Sequence, residues 1–358
     1  MIVIGADPHK REHSAAAVCR ATGELRSSET VAASPAGHLA LVEWARAIDE
    51  DRIWAIEDCR HVSGALERFL VERGERVVRV PPKLMGESRR AERSPGKSDA
   101  IDAVAVARAG LRQGLDTLPA ATVDEDALEI KLLLDHRDDL VGERTRIQSR
   151  LRWHLHELWP EFAIPAAALD RAKWLERVSR RLARTGQTAR VRVCRDELRR
   201  VRELTRTANE LERELGMLVE AKAPKLLELA GCGTLSAARI IAECGDAQRF
   251  ASDAKLARLA GVAPIPASSG NRRRHRLHRG GNRKLNCAIH RIAITQGRLD
   301  GPGRDYLARK QAEGKTRLEA LRCLKRQLAR RIWHLLQTPM SPTPTTTPIP
   351  ANSGLGLT

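Results

Sequence analysis

No run of about 18 consecutive apolar residues occurs anywhere in the chain, which excludes a membrane-spanning helix. Seven cysteines are scattered, odd in number and without a C-x-x-C pair, so neither a disulfide framework nor a cysteine-based zinc site is expected. A reducing cytoplasm is the expected compartment. The opening MIVIGADPHK has no basic n-region and carries an acid at position 7, so it reads as a strand rather than a signal peptide. The chain lacks a Gly-x-x-x-x-Gly-Lys-Ser/Thr loop, which leaves ATP hydrolysis without a site. No Ser-His-Asp arrangement stands out either, so ester or peptide hydrolysis is not expected. What is present is a chain of 358 residues, 42% hydrophobic, long enough for two or three domains with real cores.

The net charge is +18, and its distribution says more than its size. Between Asn271 and His334 there are 19 Lys or Arg against 4 Asp or Glu. Charge concentrated in this way is the footprint of a nucleic-acid-binding surface. A solvated helical face is the bland alternative. A membrane surface fits less well, because no Trp/Phe/Leu anchoring face accompanies the basic residues.

Residues 1–115 alternate strand and helix signals. Ile2–Gly5, Ser14–Val18 and Glu29–Val31 read as a strand meander with hairpin turns. Ser34-Pro35 opens a helix with Leu39, Leu41, Val42 and Trp44 on its apolar face. Arg52–Glu57 is again a strand, a helix follows around Leu66 and Leu70, and Arg76–Val80 makes a fifth strand stopped by Pro81-Pro82. Three antiparallel strands, then helix, strand, helix, strand and helix, is the order of a ribonuclease-H-like α/β fold.

Residues 120–220 change character. Leu133, Leu140, Ile147, Leu151, Leu155 and Leu158 form one helical stripe, and Val201, Leu204, Ala208, Leu211, Leu215 and Leu218 form a heptad pattern. An antiparallel coiled coil or a dimerisation arm is expected, with a looser connector over about 160–190. Residues 223–337 read as a compact, mainly helical unit, and 338–358, rich in Pro, Thr and Ser, as a disordered tail.

Four acids stand out against this frame. Asp7 ends the first strand and Glu57 the fourth, while Asp99 and Asp102 lie at i, i+3 on one helix. In a ribonuclease-H-like sheet the ends of strands one and four are neighbours and the last helix crosses them. Four ionised carboxylates converging there need cations between them, and Mg2+ (or Mn2+) suits such a hard oxygen set. Two such ions can hold a scissile phosphate. Read singly, Asp99 can be a helix cap, Asp102 a solvated residue and Asp7 a turn former. A register slip of one residue would turn Asp58 inward in place of Glu57. His9 and His13, four apart across a strand and a turn, are not expected to share a metal.

Downstream, Ser268-Ser269-Gly270 precedes Arg272, Arg273, Arg274, Arg276 and Arg279, with Arg283 and Lys284 after Gly280-Gly281. A hydroxyl beside glycine and flanked by arginines has what a phosphoryl-transfer nucleophile needs, and the arginines are candidate nucleic-acid contacts. A flexible loop is the bland reading of the same residues.

Asp7 in GADPHK, Glu57 in WAIEDC and the Lys97–Ala103 stretch with Asp99 and Asp102 resemble the acidic motifs of the Piv/MooV-type DEDD insertion-sequence transposases. Gly261, Pro264, Ser269, Gly270 and Gly281 resemble that family's C-terminal signature, so the resemblance reaches to about Leu336. It implies a RuvC-like N-terminal domain, a coiled-coil arm and a C-terminal transposase domain. It carries over Asp7, Glu57, Asp99 and Asp102 as magnesium ligands and Ser269, rather than Ser268, as the residue joined covalently to DNA. It further implies guidance by a structured RNA, which suits a basic chain with six Trp, three Phe and one Tyr, because duplex shapes are held through their backbones, while the heptad arm points to a homo-oligomer. Many relatives have Leu-Arg where this chain has Leu285-Asn286; the adjacent Arg283 and Lys284 can supply the charge. The expected function is a transposase or site-specific recombinase. The alternatives are a RuvC-like nuclease or Holliday-junction resolvase using metal-activated water, and a non-catalytic nucleic-acid scaffold.

Overall fold

The computed structural model describes residues 1–58, 60–81, 84, 99–267, 275–278 and 280–337; of residues 60–62, 99, 100 and 277 only the backbone is described. The chain divides into two compact units, Met1–Glu125 and Asp126–Thr358.

The first unit is a five-stranded sheet with helices on both faces. β1 (Ile2–Pro8), β2 (Glu12–Cys19) and β3 (Leu25–Ala32) form the antiparallel meander, with Ile4 opposite Ala17 and Ala16 opposite Ser28. Helix α1 (Pro35–Ile48) starts as expected: the Ser34 hydroxyl accepts from the Gly37 amide at 3.2 Å, and proline fills the first helical position. β4 (Arg52–Glu57) pairs parallel with β1 on the other side from β2, α2 (Arg60–Glu72) follows, and β5 (Val77–Val80) extends the sheet. The order β3-β2-β1-β4-β5 is the ribonuclease-H-like order expected from the sequence. Helix α3 (Asp99–Gln113) crosses the sheet on the face opposite α1 and α2. The unit runs past residue 115, because the Arg79 amide donates to Pro119 O and the Ala121 amide to Val77 O, both at 2.9 Å. The stretch led by Pro119 thus closes the free edge of β5.

In the second unit, α4 (Glu125–Leu158) and α6 (Ala189–Lys222) run antiparallel. Polar rungs mark their register: Lys222 to Asp126 at 2.9 Å, Arg137 to Glu212 at 2.6 Å, Arg144 to Thr205 at 3.3 Å and Arg150 to Glu197 at 3.2 Å. Val201, Leu204, Ala208 and Leu215 of the heptad pattern are buried, but Leu218 is half-buried and Val219 fully buried in its place. A straight α-helix drifts by about 20° per heptad, which moves the apolar seam one residue on. The connector expected to be loose holds a helix, α5 (Ala172–Ala183). Its Leu175, Val178 and Leu182 join a core with Leu151 and Leu155 of α4 and Cys194 and Leu198 of α6. At three turns it is short enough to be overshadowed in the sequence by its long neighbours.

The other end of the helix pair shares a core with the remaining elements: α7 (Pro224–Leu227), α8 (Thr234–Cys244), α9 (Asp253–Leu259), the strand pair β6 (Pro264–Pro266) and β7 (His275–Leu277), α10 (Arg283–Gln296), α11 (Pro302–Ala312) and α12 (Arg317–Gln337). Ile130 and Leu134 of α4 and Leu215 of α6 pack there with Ile240, Leu285, Ile289 and Leu328. The glycine turn before α8 has a packing reason. Gly231, at φ +80°, lies where a Cβ would stand 2.9 Å from Thr295, so the turn seats directly on α10. Among the described residues no helix is long and apolar enough to cross a membrane.

Candidate functional site

The acidic half of the site follows from strand alternation. Val3, Ile53 and Ala55 pack with Ala103, Val104 and Ala107 of α3, whereas Ile4, Ala6, Trp54 and Ile56 pack with α1 and α2. Side chains alternate faces along a strand, so Asp7 and Glu57 fall in phase with the α3 face. Parallel pairing sets Ala6 against Ile56, and one step further brings Asp7 alongside Glu57. The slip that would have turned Asp58 inward does not occur. The Asp58 amide instead continues the ladder to Val80 O at 3.0 Å.

Helix α3 reaches this corner because Gly5 lets it. A Cβ at Gly5 would lie 2.0 Å from Ala103 O and 2.5 Å from Ala107 N, so helix and strand touch backbone to backbone. The helix direction follows from Arg108, whose Nε donates to Gly23 O at 3.1 Å in the turn beyond β2, at the Ile2 end of β1. Its N-terminal half therefore points to the Asp7 end. Asp102 precedes Ala103 there and is 7% exposed, and Asp7 is 5% exposed. Two buried carboxylates and the half-buried Glu57 share one corner of the sheet. Asp99 is the first residue of α3, and its side chain is not among those described.

This donor set fits a divalent cation in kind: every member is a hard carboxylate oxygen, and buried carboxylates are costly without a compensating positive charge. Among the described residues no three His, Cys, Asp or Glu side chains stand close enough to form a complete metal cluster by themselves. Sequence reasoning set aside His9, whose Nε2 lies 3.2 Å from Asp7 Oδ2. The i, i+2 spacing across Pro8 at a strand end was the available signal for that contact. His13 is engaged elsewhere: its Nε2 lies 3.1 Å from that of His38, with the two rings stacked.

The C-terminal half is organised around two glycines of the signature. Gly261 has φ +65°, and a Cβ on Gly281 would lie 2.2 Å from Gly261 Cα, so the two turns meet as bare backbone. Asn282 caps α10 by accepting from the Leu285 amide at 3.0 Å while its Nδ2 donates to Glu243 at 2.6 Å. Arg239, buried, clamps Asp135, Asp138 and Glu243 from the other side. Burial opposes ionisation of Asp135, but hydrogen bonds from Lys131, Lys284 and Arg239 hold its carboxyl well below the usual range. This network fixes the base of the β6–β7 pair, in which Ile265 lies opposite Arg276.

Ser269 falls in the chain segment joining β6 to β7. Ser268, Ser269, Arg272, Arg273, Arg274 and Arg279 all lie outside the described residues. Of the remaining basic candidates, Arg276 and Arg283 are exposed, and Lys284 is ion-paired to Asp135 at 2.6 Å. Asn286 donates to Ala260 O at 2.7 Å and accepts from Lys325 Nζ at 2.6 Å.

Comparison with known proteins agrees with these two halves. Residues 4–160 match a transposase family model of the DEDD IS110 type, and residues 223–308 match the model for the transposase IS116/IS110/IS902 family. The chain is 30% identical to an uncharacterised protein of insertion element IS116 from Streptomyces clavuligerus, over 94% of both chains. It is 27% identical to one of insertion element IS900 from Mycobacterium paratuberculosis, over 79% of this chain and 82% of the relative. Against one of IS110 from Streptomyces coelicolor it is 29% identical, over 71% and 74%. Among solved structures, Thermus thermophilus RuvC in complex with a Holliday junction substrate matches at 20% identity. That match covers 34% of this chain and 99% of RuvC, with a TM-score of 0.26. With both family models matched in order and a relative aligned almost end to end, the chain belongs to the IS110 family of DEDD insertion-sequence transposases.

Proposed function

We propose that this transposase cuts and rejoins DNA with two sets of groups: Asp7, Glu57, Asp99 and Asp102 as ligands for Mg2+ or Mn2+, and Ser269 as the nucleophile. The reading is carried by the corner at which Asp7 and Glu57 end neighbouring strands and face the half of α3 that holds Asp102. Bound there, divalent cations would neutralise charge on the phosphate oxygens and on the leaving oxygen. The Ser269 Oγ forms a bond to phosphorus as the bond from phosphorus to the leaving deoxyribose oxygen breaks, and the hydroxyl proton ends on that oxygen. Attack by the hydroxyl of a second strand reverses the step and frees the serine, so no external energy source is needed. The basic residues Arg272, Arg273, Arg274, Arg276, Arg279, Arg283 and Lys284 hold the backbone of DNA and of a structured guide RNA. The active species is a homo-oligomer.

Trapping the cleaved strand tests the chemistry. The parent chain gives a protein–DNA adduct in denaturing gels, Ser269→Ala gives none, and Asp102→Asn or excess chelator abolishes cleavage. Cleavage without any adduct in the parent would favour a nuclease that activates water instead. Ribonuclease treatment of the purified protein removes target selection if a guide is used, and selection that survives it refutes guidance.

A further inference from the structure

One cleft in the second unit is lined by an excess of positive charge among the described residues. It has a volume of about 690 Å3 and opens beside the base of the β6–β7 pair, between Gly261 and Arg276 on that side and Tyr306, Lys310, Arg322 and Lys325 on α11 and α12. Arg322 and Lys325, at i and i+3, share one face of α12. Lys325 is 8% exposed, so the residue as a whole is buried. Its one hydrogen bond among the described residues goes to a neutral acceptor, Asn286 Oδ1, and no described carboxylate pairs with it. Burial pushes its pKa down; the nearby Cys287 opposes this and Arg322 adds to it.

An ammonium held in this way costs folding free energy unless an anion arrives to pair with it. Arg322 and Arg276 are exposed and form no salt bridge among the described residues, although the charge of Arg322 favours ionisation of Glu319. Two other cations of the cleft are paired internally: Lys310 binds Glu313 and Arg326 binds Asp253. The acidic side chain in the lining, Glu319, is occupied in capping its own helix, accepting from Thr316 N at 2.9 Å and Thr316 Oγ1 at 2.8 Å. Among the described residues, four cations lining the cleft have no salt bridge: the buried Lys325 and the exposed Arg322, Arg276 and Lys315.

We infer that this cleft is a seat for consecutive phosphates of a nucleic-acid strand, with Lys325, Arg322 and Arg276 as its ligands. The buried ammonium binds the central phosphate, where the low dielectric strengthens the attraction, and the two guanidinium groups take the flanking phosphates. The seat is tied to the strand pair that carries Ser269: Lys325 bonds Asn286, and Asn286 bonds the carbonyls of Ala260 and Gly261 at 2.7 and 3.4 Å. A strand bound here is held at the base of the connection that contains Ser269. The inference deepens the reading above and rests on it for the role of the bound strand.

The test uses the full-length protein and labelled 20-nucleotide probes of single-stranded DNA, duplex DNA and single-stranded RNA, titrated by fluorescence anisotropy over a series of salt concentrations. Lys325→Met keeps the length of the side chain and removes the charge; its melting temperature reports folding. Arg322→Gln with Arg276→Gln, both at exposed positions, repeats the test should the buried substitution fail to fold. Arg199→Gln on the arm controls for bulk charge. Neutralising one phosphate-binding cation lowers the slope of log affinity against log salt by roughly one, and weakens binding about tenfold at moderate salt. The expected result is a slope lower by about one in Lys325→Met and by about two in the double variant, with Arg199→Gln unchanged. The probe whose affinity falls names the strand as DNA or RNA. Unchanged slopes on all three probes in the folded variants overturn the inference, even if the parent forms its Ser269 adduct. Lowered slopes with no adduct in the parent keep the cleft and reject the serine chemistry.

Discussion

Gly5 decides whether the acidic corner exists. With Ala103 O and Ala107 N lying 2.0 and 2.5 Å from the place of its missing Cβ, any larger residue pushes α3 off β1. Gly5→Val is therefore expected to destabilise the first unit by about 3 kcal/mol or more, and to abolish cleavage though no carboxylate has changed. Thermal denaturation alongside a cleavage assay checks both; normal stability would show that the close approach is not required. The His13–His38 pair makes a second prediction at this scale. Burial, then the neighbouring His38, pushes His13 down to about 4. Its folded value lies below its unfolded one near 6.5, so the unfolded chain binds the extra proton first. The stability contributed by keeping His13 neutral is thus complete above pH 6.5 and is lost as the pH falls toward 4, to the extent of about 3 kcal/mol. Melting temperatures between pH 4 and 7.5 should show this slope, and His13→Gln should flatten it.

At the scale of elements, the helix pair α4–α6 separates packing from charge. Leu204, 2% exposed in the seam, is expected to cost about 2–4 kcal/mol when truncated to alanine. Arg150→Gln breaks a rung to Glu197 in which the arginine side chain is 63% exposed, and is expected to cost less than about 1 kcal/mol. Urea denaturation of the two variants tests the contrast, and equal losses would mean that the polar rungs carry the arm. The heptad was legible in the sequence because six apolar residues recur at fixed spacing. What a seam faces is not written in its own spacing, and here α4 of the same chain covers it. The one-residue drift from Leu218 to Val219 likewise depends on helix geometry against a real partner.

For the whole molecule, two units with separate cores place the acids in one and the basic cleft in the other. A ligand stabilises the unit that binds it. Millimolar Mn2+ should therefore raise the melting of the sheet-bearing unit, by about 2.7 kcal/mol at a hundred times the Kd, and Asp102→Asn should remove that effect. Scanning calorimetry with and without the ion reads this independently of cleavage, and a parent that does not respond would refute the metal assignment.

Strand alternation, the Ser34-Pro35 helix start, the order of elements and the spacing of Asp99 and Asp102 are local or periodic signals, and the sequence alone determined them. They were enough to define the sheet order and to mark the four acids and the basic C-terminal region as candidates. The structure decided what depends on residues far apart in the chain. It set Glu57 rather than Asp58 on the α3 face, laid α3 bare against Gly5, pressed Gly281 onto Gly261, and buried Lys325 beside Asn286 with no acid among the described residues paired to it. Each of these joins segments whose separation in sequence carries no period. Only packing, which buries apolar faces and leaves some charges exposed to a ligand, brings them together.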